Sequence, residues 1–290
     1  MSDSCLICGG QPVRRHTDRS WGAMGREFHL VRCDVCGSAY SQPLPDDESL
    51  AKLYGEHFDY RWYSDHYDAK LRDARMRLRE YQPWLDGRVL DFGGGFGYFA
   101  RAAREAGLVS STYDPYAARS DPGEDWDCVV ALHVLEHANN PDRAVAQMKS
   151  RLRTGGKLLV AVPNFDGAGY RKLGFDWVWA QPPLVHIFHF TAEGLERLLV
   201  RHGFGDIDVS YHDRWDANRV ADINRASEFR RFDSAWGLPF FNRAELYRRW
   251  IARRNARLRF SALDSASAMQ VERSADLAEL EARAVLLSSV

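Results

Sequence analysis

The apolar positions along the chain change period several times. Val89 and Leu90 form an apolar pair, Asp91 follows, and Gly93, Gly94, Gly95 and Gly97 crowd the next turn. From Tyr98 the spacing becomes helical. Phe99, Ala102, Ala103 and Ala106 share one side and Gly107 is the stop. Apolar, β-rich runs at 108–112, 128–132 and 157–163 predict further strands. Between them, Asn140-Pro141 opens a helix that stops at Gly155-Gly156, and Thr191 caps another that ends at Gly203-Phe204. Upstream, residues 43–54 read as a short capped helix. Residues 64–85 read as a longer one, with Leu71, Met76, Leu78 and Trp84 as its buried positions. Downstream, 242–260 and 274–287 read as two more helices. Strands alternating with helices predict an α/β fold.

Bulk numbers bound the rest. The 290 residues are 45% hydrophobic and 27% charged, enough for an α/β domain plus one or two smaller modules. With 39 basic and 40 acidic side chains, the net charge of -1 exerts no global pull on nucleic acid or an anionic membrane. No run approaches the roughly 18 apolar residues of a membrane span. The first residues do not read as a signal peptide, so the expected compartment is the cytoplasm.

Four of the five cysteines form two pairs, Cys5-x-x-Cys8 and Cys33-x-x-Cys36, each followed by glycine. Each knuckle turns two thiolates toward one point, and two knuckles surround one tetrahedral zinc. The 24 residues between Cys8 and Cys33 suit a hairpin, with 27–32 as the returning strand. The alternatives are disulfides, which a chain without a secretion signal disfavours, or a redox pair. A closed four-cysteine site leaves no position for chemistry, so the expected ion is structural Zn2+. Cys128, alone in an apolar strand, reads as a core residue.

The strand–glycine turn–helix at 89–105 suits a nucleotide-like ligand, because glycine lets backbone approach closely. The dinucleotide fingerprint fails: counting from Gly93, the sixth place is Tyr98. Asp91, Gly93, Gly95 and Gly97 instead resemble motif I of class I S-adenosylmethionine (SAM) methyltransferases, and the resemblance covers roughly 89–210. It implies a Rossmann-like sheet, SAM as cofactor and methyl transfer as the reaction. It also implies that the glycine loop lies under the methionine part of SAM, and that Asp114 grips the ribose hydroxyls. Pro115, Leu132 and His133 would line the remainder of the cofactor site. Asp114 precedes a proline, so a turn-forming role stays open. Residues 133–137 match the family's segment after the fourth strand, and 183–191 match its entry to the helix before the final hairpin. One departure stands out. The thirteen residues 115–127 are too few for a crossover helix and a strand, so the sheet should be abbreviated between Asp114 and Cys128.

An oxygen acceptor needs a base, and histidine suits that task near neutral pH. The resemblance places His137, His186, His133 and His189 in the right segments, each also readable as a brace or a satisfied loop residue. Residues 165–182 insert aromatics (Phe165, Tyr170, Phe175, Trp177, Trp179) on a glycine-hinged loop, which can stack on an acceptor or pack as a lid. Arg171 and Lys172 can meet an anionic group there. Tyr60 and Tyr63 read as core or as substrate contacts. The helix at 242–260 carries seven arginines and the helix at 274–287 is acid-rich, so the two can pair within the chain or across a homodimer. The expected organisation is a zinc ribbon (1–42), a helical cap (43–86), a SAM-binding core (87–211, with a substrate loop at 165–190) and a helical extension (212–290). The expected function is methylation of a small-molecule acceptor, at an oxygen of a sugar or secondary metabolite. An RNA methyltransferase using ribbon and basic helix, and a non-catalytic scaffold, are the competing readings. Neutral net charge argues against the RNA partner.

Overall fold

The computed structural model describes residues 4–23, 26–52, 54, 66–115, 121–167, 170–171, 185–212 and 279–288. Tyr60, Tyr63, Tyr116, Lys172, Phe175, Trp177, Trp179 and the basic helix expected over 242–260 lie outside the described residues. The first elements are β1 (Val13–Ala23), β2 (Arg26–Cys33), β3 (Ala39–Gln42), α1 (Asp47–Lys52) and α2 (Tyr67–Tyr81). Next come β4 (Arg88–Phe92), α3 (Tyr98–Glu105), β5 (Val109–Tyr113), β6 (Trp126–Leu132), a 3-10 turn at Leu135–His137 and α4 (Pro141–Arg151). The last are β7 (Leu152–Pro163), β8 (Phe188–His189), α5 (Ala192–Arg201), β9 (Phe204–His212) and β10 (Glu279–Leu286).

The main sheet runs β5-β4-β6-β7-β10-β9. β5, β4, β6 and β7 are parallel, and β10 is antiparallel to both its neighbours. Among the described residues no strand lies outside β5, in line with the short 115–127 segment. Local chemistry sets the boundaries as the spacing predicts. Asn140 accepts from the amide of Arg143 at 2.9 Å and Pro141 takes the first helical turn of α4. Thr191 Oγ1 accepts from the amide of Gly194 at 3.1 Å to start α5.

One expected element is corrected. The helix over 274–287 is not formed at 279–286, which is instead β10, inserted between β7 and β9. Its register aligns Leu280 with Val162 and Tyr211. The run Glu-Leu-Glu-Ala-Arg-Ala-Val-Leu is rich in helix formers, but it alternates polar and apolar with period two. Pairing on both sides satisfies the backbone and overrides helix propensity.

Two apolar layers cover the sheet. Leu71, Ala74, Leu78 and Tyr81 of α2 pack with Phe99 and Ala103 of α3 against Val89 and Val130. Val145 and Met148 of α4 and Leu195, Leu198 and Leu199 of α5 pack on the other face, against Leu90, Val129, Leu158 and Val160. Cys128 belongs to the first layer and is fully buried. Met76 turns outward, 46% exposed, because the buried stripe of α2 runs through Leu71, Ala74, Leu78 and Tyr81 instead.

The N-terminal hairpin does not stand apart. β8 pairs with β3, aligning Ala39 with His189 and Tyr40 with Phe188. Thr191 Oγ1 donates to the Cys36 carbonyl at 2.5 Å, and Arg201 Nη1 donates to the Ile7 carbonyl at 2.7 Å. The cysteine module is therefore docked on the entry and exit of α5.

Candidate active site

The C-terminal ends of β4, β5 and β6 lie together, where an open parallel sheet forms its crevice. β4 leads into Gly93 at φ +70°, and a Cβ there would stand 2.6 Å from Cγ2 of Val134. Only glycine fits that turn. Asp91 is buried at 3% exposure, and its Oδ2 accepts from the amide of Ala100 at 3.2 Å in the first turn of α3. An anion is favoured at a helix N-terminus. Asp114, just after β5, accepts from the amide of Gly95 at 2.9 Å through Oδ2. Gly93 N donates to the Tyr113 carbonyl at 2.7 Å. Asp91 thus ties β4 to the first turn of α3, and Asp114 ties the end of β5 to the glycine loop.

After β6 the chain passes through His133 at φ +55°, a left-handed conformation that a non-glycine residue adopts only under constraint. The constraint is visible. Nδ1 of His133 donates to Oε1 of Glu136 at 3.1 Å, and Nε2 donates to Oε2 of Glu279 at 2.9 Å. Arg77 donates to both carboxylate oxygens of Glu279, at 3.1 and 2.8 Å. Burial opposes charge on His133, but the hydrogen bonds and charges of Glu136 and Glu279 more than offset it, so its pKa is raised. Burial likewise disfavours ionised Glu279, yet Arg77 and His133 hold it well below the usual carboxylate range. The result is a continuous hydrogen-bonded chain, Arg77–Glu279–His133–Glu136.

Two further histidines complete the end of β6. Nδ1 of His137 lies 2.6 Å from the carbonyl of Val185, so it carries the hydrogen and donates. The rings of His137 and His186 meet edge to face at 4.8 Å. Ile187 N donates to the Glu136 carbonyl at 2.7 Å, and Ser41 N donates to the Ile187 carbonyl at 2.9 Å. Backbone bonds therefore carry the position of β3 through 185–187 to the turn after β6. His189 sits apart in the smaller sheet, beside Phe165 at 5.0 Å. Burial pushes its pKa down to about 3. His16 and Tyr170 share a 2.8 Å hydrogen bond next to it, joining the hairpin to the loop after β7.

Cys5, Cys8, Cys33 and Cys36 bring their Sγ atoms within 4.8 Å of one another. Cys5 lies 4.0 Å from Cys36, and Cys8 lies 3.7 Å from Cys33. Tetrahedral Zn–S bonds of about 2.3 Å require separations near ~3.8 Å. The amides of Ile7, Gly10 and Val35 donate to Sγ of Cys5, Cys8 and Cys33 at 3.3–3.4 Å. Burial pushes the Cys8 thiol up to about 11, so a cation would have to displace protons here.

Residues 63–209, half of the chain, match a family described as a methyltransferase domain. The chain belongs to this methyltransferase family. It is a SAM-dependent methyltransferase. The phosphoethanolamine N-methyltransferase 2 of Haemonchus contortus, solved with SAM, is 15% identical; the match covers 93% of this chain and 71% of that one, with a TM-score of 0.50. A SAM-dependent methyltransferase from Archaeoglobus fulgidus is 17% identical, over 78% of this chain and 100% of that one, with a TM-score of 0.45. At these identities the likeness is one of fold. No curated protein matches the chain in sequence.

The methyltransferase's candidate cofactor residues Asp91, Gly93, Gly95, Gly97, Asp114, Pro115, Leu132 and His133 all fall at the ends of β4, β5 and β6. His133 and His137 stand with His186 at this edge, whereas His189 does not. Arg77 and Glu279 escaped the sequence reading. Each had a signal: Arg77 lies between Ala74 and Tyr81 on an otherwise apolar stripe, and Glu279 opens a period-two run. No helix among the described residues is long and apolar enough to cross a membrane.

Proposed function

We propose that this methyltransferase transfers the methyl group of SAM to an oxygen of a small-molecule acceptor, such as a hydroxyl of a sugar or secondary metabolite. The observation that carries the reading is the placement of His137 and His186 beside buried Glu136, next to the glycine loop. Val134, whose side chain blocks a Cβ at Gly93, ties the two ends of the site together. SAM would lie over the loop, with Asp114 at its ribose and the positive end of α3 beneath it. In the reaction the carbon–sulfur bond breaks, a carbon–oxygen bond forms, and the sulfonium loses its charge. The acceptor's proton must leave, and we assign its removal to the His137–His186 pair. His133 is held between two carboxylates, so we read it as a positioning residue. His189, with its depressed pKa and separate location, is read as structural.

We assign Zn2+ to the four cysteines, on the fit of the Sγ separations to a tetrahedral thiolate site. In this reading the ion holds β3, and through it the 185–189 segment that bears His186. Calorimetric titration with S-adenosylhomocysteine, followed by methyl transfer from labelled SAM to a panel of hydroxylated acceptors, tests the function. Micromolar binding with label in an alcohol or phenol acceptor is the expected result. Absent binding in zinc-loaded, folded protein, or label only in amines or RNA, overturns it.

A further inference from the structure

Glu136, His137 and His186 each bring one donor atom to within 4.8 Å of the others. Glu136 is 1% exposed and His186 is 2% exposed. Oε1 of Glu136 takes the hydrogen bond from His133 and stands 4.0 Å from Nε2 of His137. Oε2 is buried and has no hydrogen-bond partner among the described residues. A buried carboxylate oxygen without a donor is costly, so it points to a cation. The surroundings are those of a metal ligand set. The backbone carbonyl of Val185 fixes the His137 tautomer and directs Nε2 toward Glu136, and the His133 ring braces the other carboxylate oxygen. Histidine and carboxylate ligands are oriented by such outer partners.

We propose that Glu136, His137 and His186 form a second metal site, distinct from the four cysteines, that takes a divalent transition ion of the Zn2+ or Co2+ kind. Two imidazoles and one carboxylate suit such an ion, and three protein ligands leave a position open. An acceptor oxygen taken at that position would lose its proton to solvent, and the two imidazoles would then serve as ligands in place of acting as the base. That last role rests on the function proposed above; ion binding itself does not.

The test is a Co2+ titration of the full-length protein whose cysteine site already holds one equivalent of Zn2+. Zn2+ outcompetes Co2+ for thiolates, so added Co2+ reports the other site. Wild type should bind one further equivalent, with weak visible bands and no thiolate charge-transfer absorption. His137→Ala, whose side chain is partly exposed, and Glu136→Gln should each weaken that equivalent by more than about 100-fold, the upper end of what loss of an outer partner alone costs. No second equivalent in wild type, or unchanged affinity in His137→Ala, overturns the proposal even if Glu136→Gln fails to fold. S-adenosylhomocysteine binding is measured on the same wild-type sample. Its absence beside a bound Co2+ would sink the acceptor reading and leave the metal site standing.

Discussion

Arg77 of α2 and Glu279 of β10, separated by 202 residues in sequence, meet as a buried two-pronged ion pair. The guanidinium is 10% exposed and the carboxylate 1%. The pair fastens the last described strand to the first helix of the matched region, directly behind His133. Arg77→Met should leave the buried carboxylate with only His133 facing it, and cost about 3–5 kcal/mol, the range for breaking a buried pair. Adding Glu279→Leu should restore most of that loss, because the double variant buries no lone charge. Urea unfolding of the three variants checks both statements. A loss below about 1 kcal/mol for Arg77→Met, the range of exposed pairs, would mean that solvent already screens the site.

Gly93→Ala should destabilise the protein more than Gly107→Ala. Both positions have positive φ, +70° and +87°, so both pay roughly 1–2 kcal/mol for a left-handed alanine. Only at Gly93 does the new Cβ meet a neighbour, Val134 at 2.6 Å; at Gly107 nothing lies within 4 Å. Thermal unfolding ranks the two, and equal losses would show that Val134 yields freely.

Asp114→Ala should weaken SAM binding by about 1.5–3 kcal/mol, the range for hydrogen bonds to a charged partner. The same variant removes the acceptor for the Gly95 amide, so the loop itself loosens. Asp114→Asn keeps one acceptor oxygen and should lose less. Calorimetry separates the cases, and unchanged affinity in Asp114→Ala would refute the ribose role.

Cys33→Ser should lower the zinc content of the purified protein and loosen the docking of the hairpin on α5. Metal analysis by mass spectrometry and proteolysis of the N-terminal module read the two effects. A full complement of zinc in the variant would defeat the four-cysteine assignment.

His189 should make the fold acid-sensitive. Its folded pKa, about 3, lies below the ordinary histidine value near 6.5, because burial disfavours the cation. Its contribution is complete above pH ~6.5 and is lost as the pH falls from there toward ~3, since the unfolded chain gains the proton first. His189→Phe should flatten that part of the stability–pH curve. An unchanged slope between pH 6.5 and 4 would place the acid sensitivity elsewhere.

The sequence alone determined the elements whose signals are local. The glycine turn after β4, the caps at Asn140 and Thr191, and the paired cysteine knuckles all depend on residues a few positions apart. The short 115–127 segment likewise bounded the sheet by simple length. What spans the chain was decided only by tertiary structure. Helix-forming residues at 279–286 became a strand because β7 and β9 offered two open edges, and its buried acids were acceptable because Arg77 and His133 stood opposite Glu279 while Arg283 and His212 met Glu281. The four candidate histidines looked equivalent in sequence, yet folding gave them different neighbours. His133 gained two carboxylates, His137 and His186 gained each other and Glu136, and His189 was carried into the hairpin's sheet and stripped of water. Partnership and burial depend on distances across the fold, which no spacing along the chain encodes.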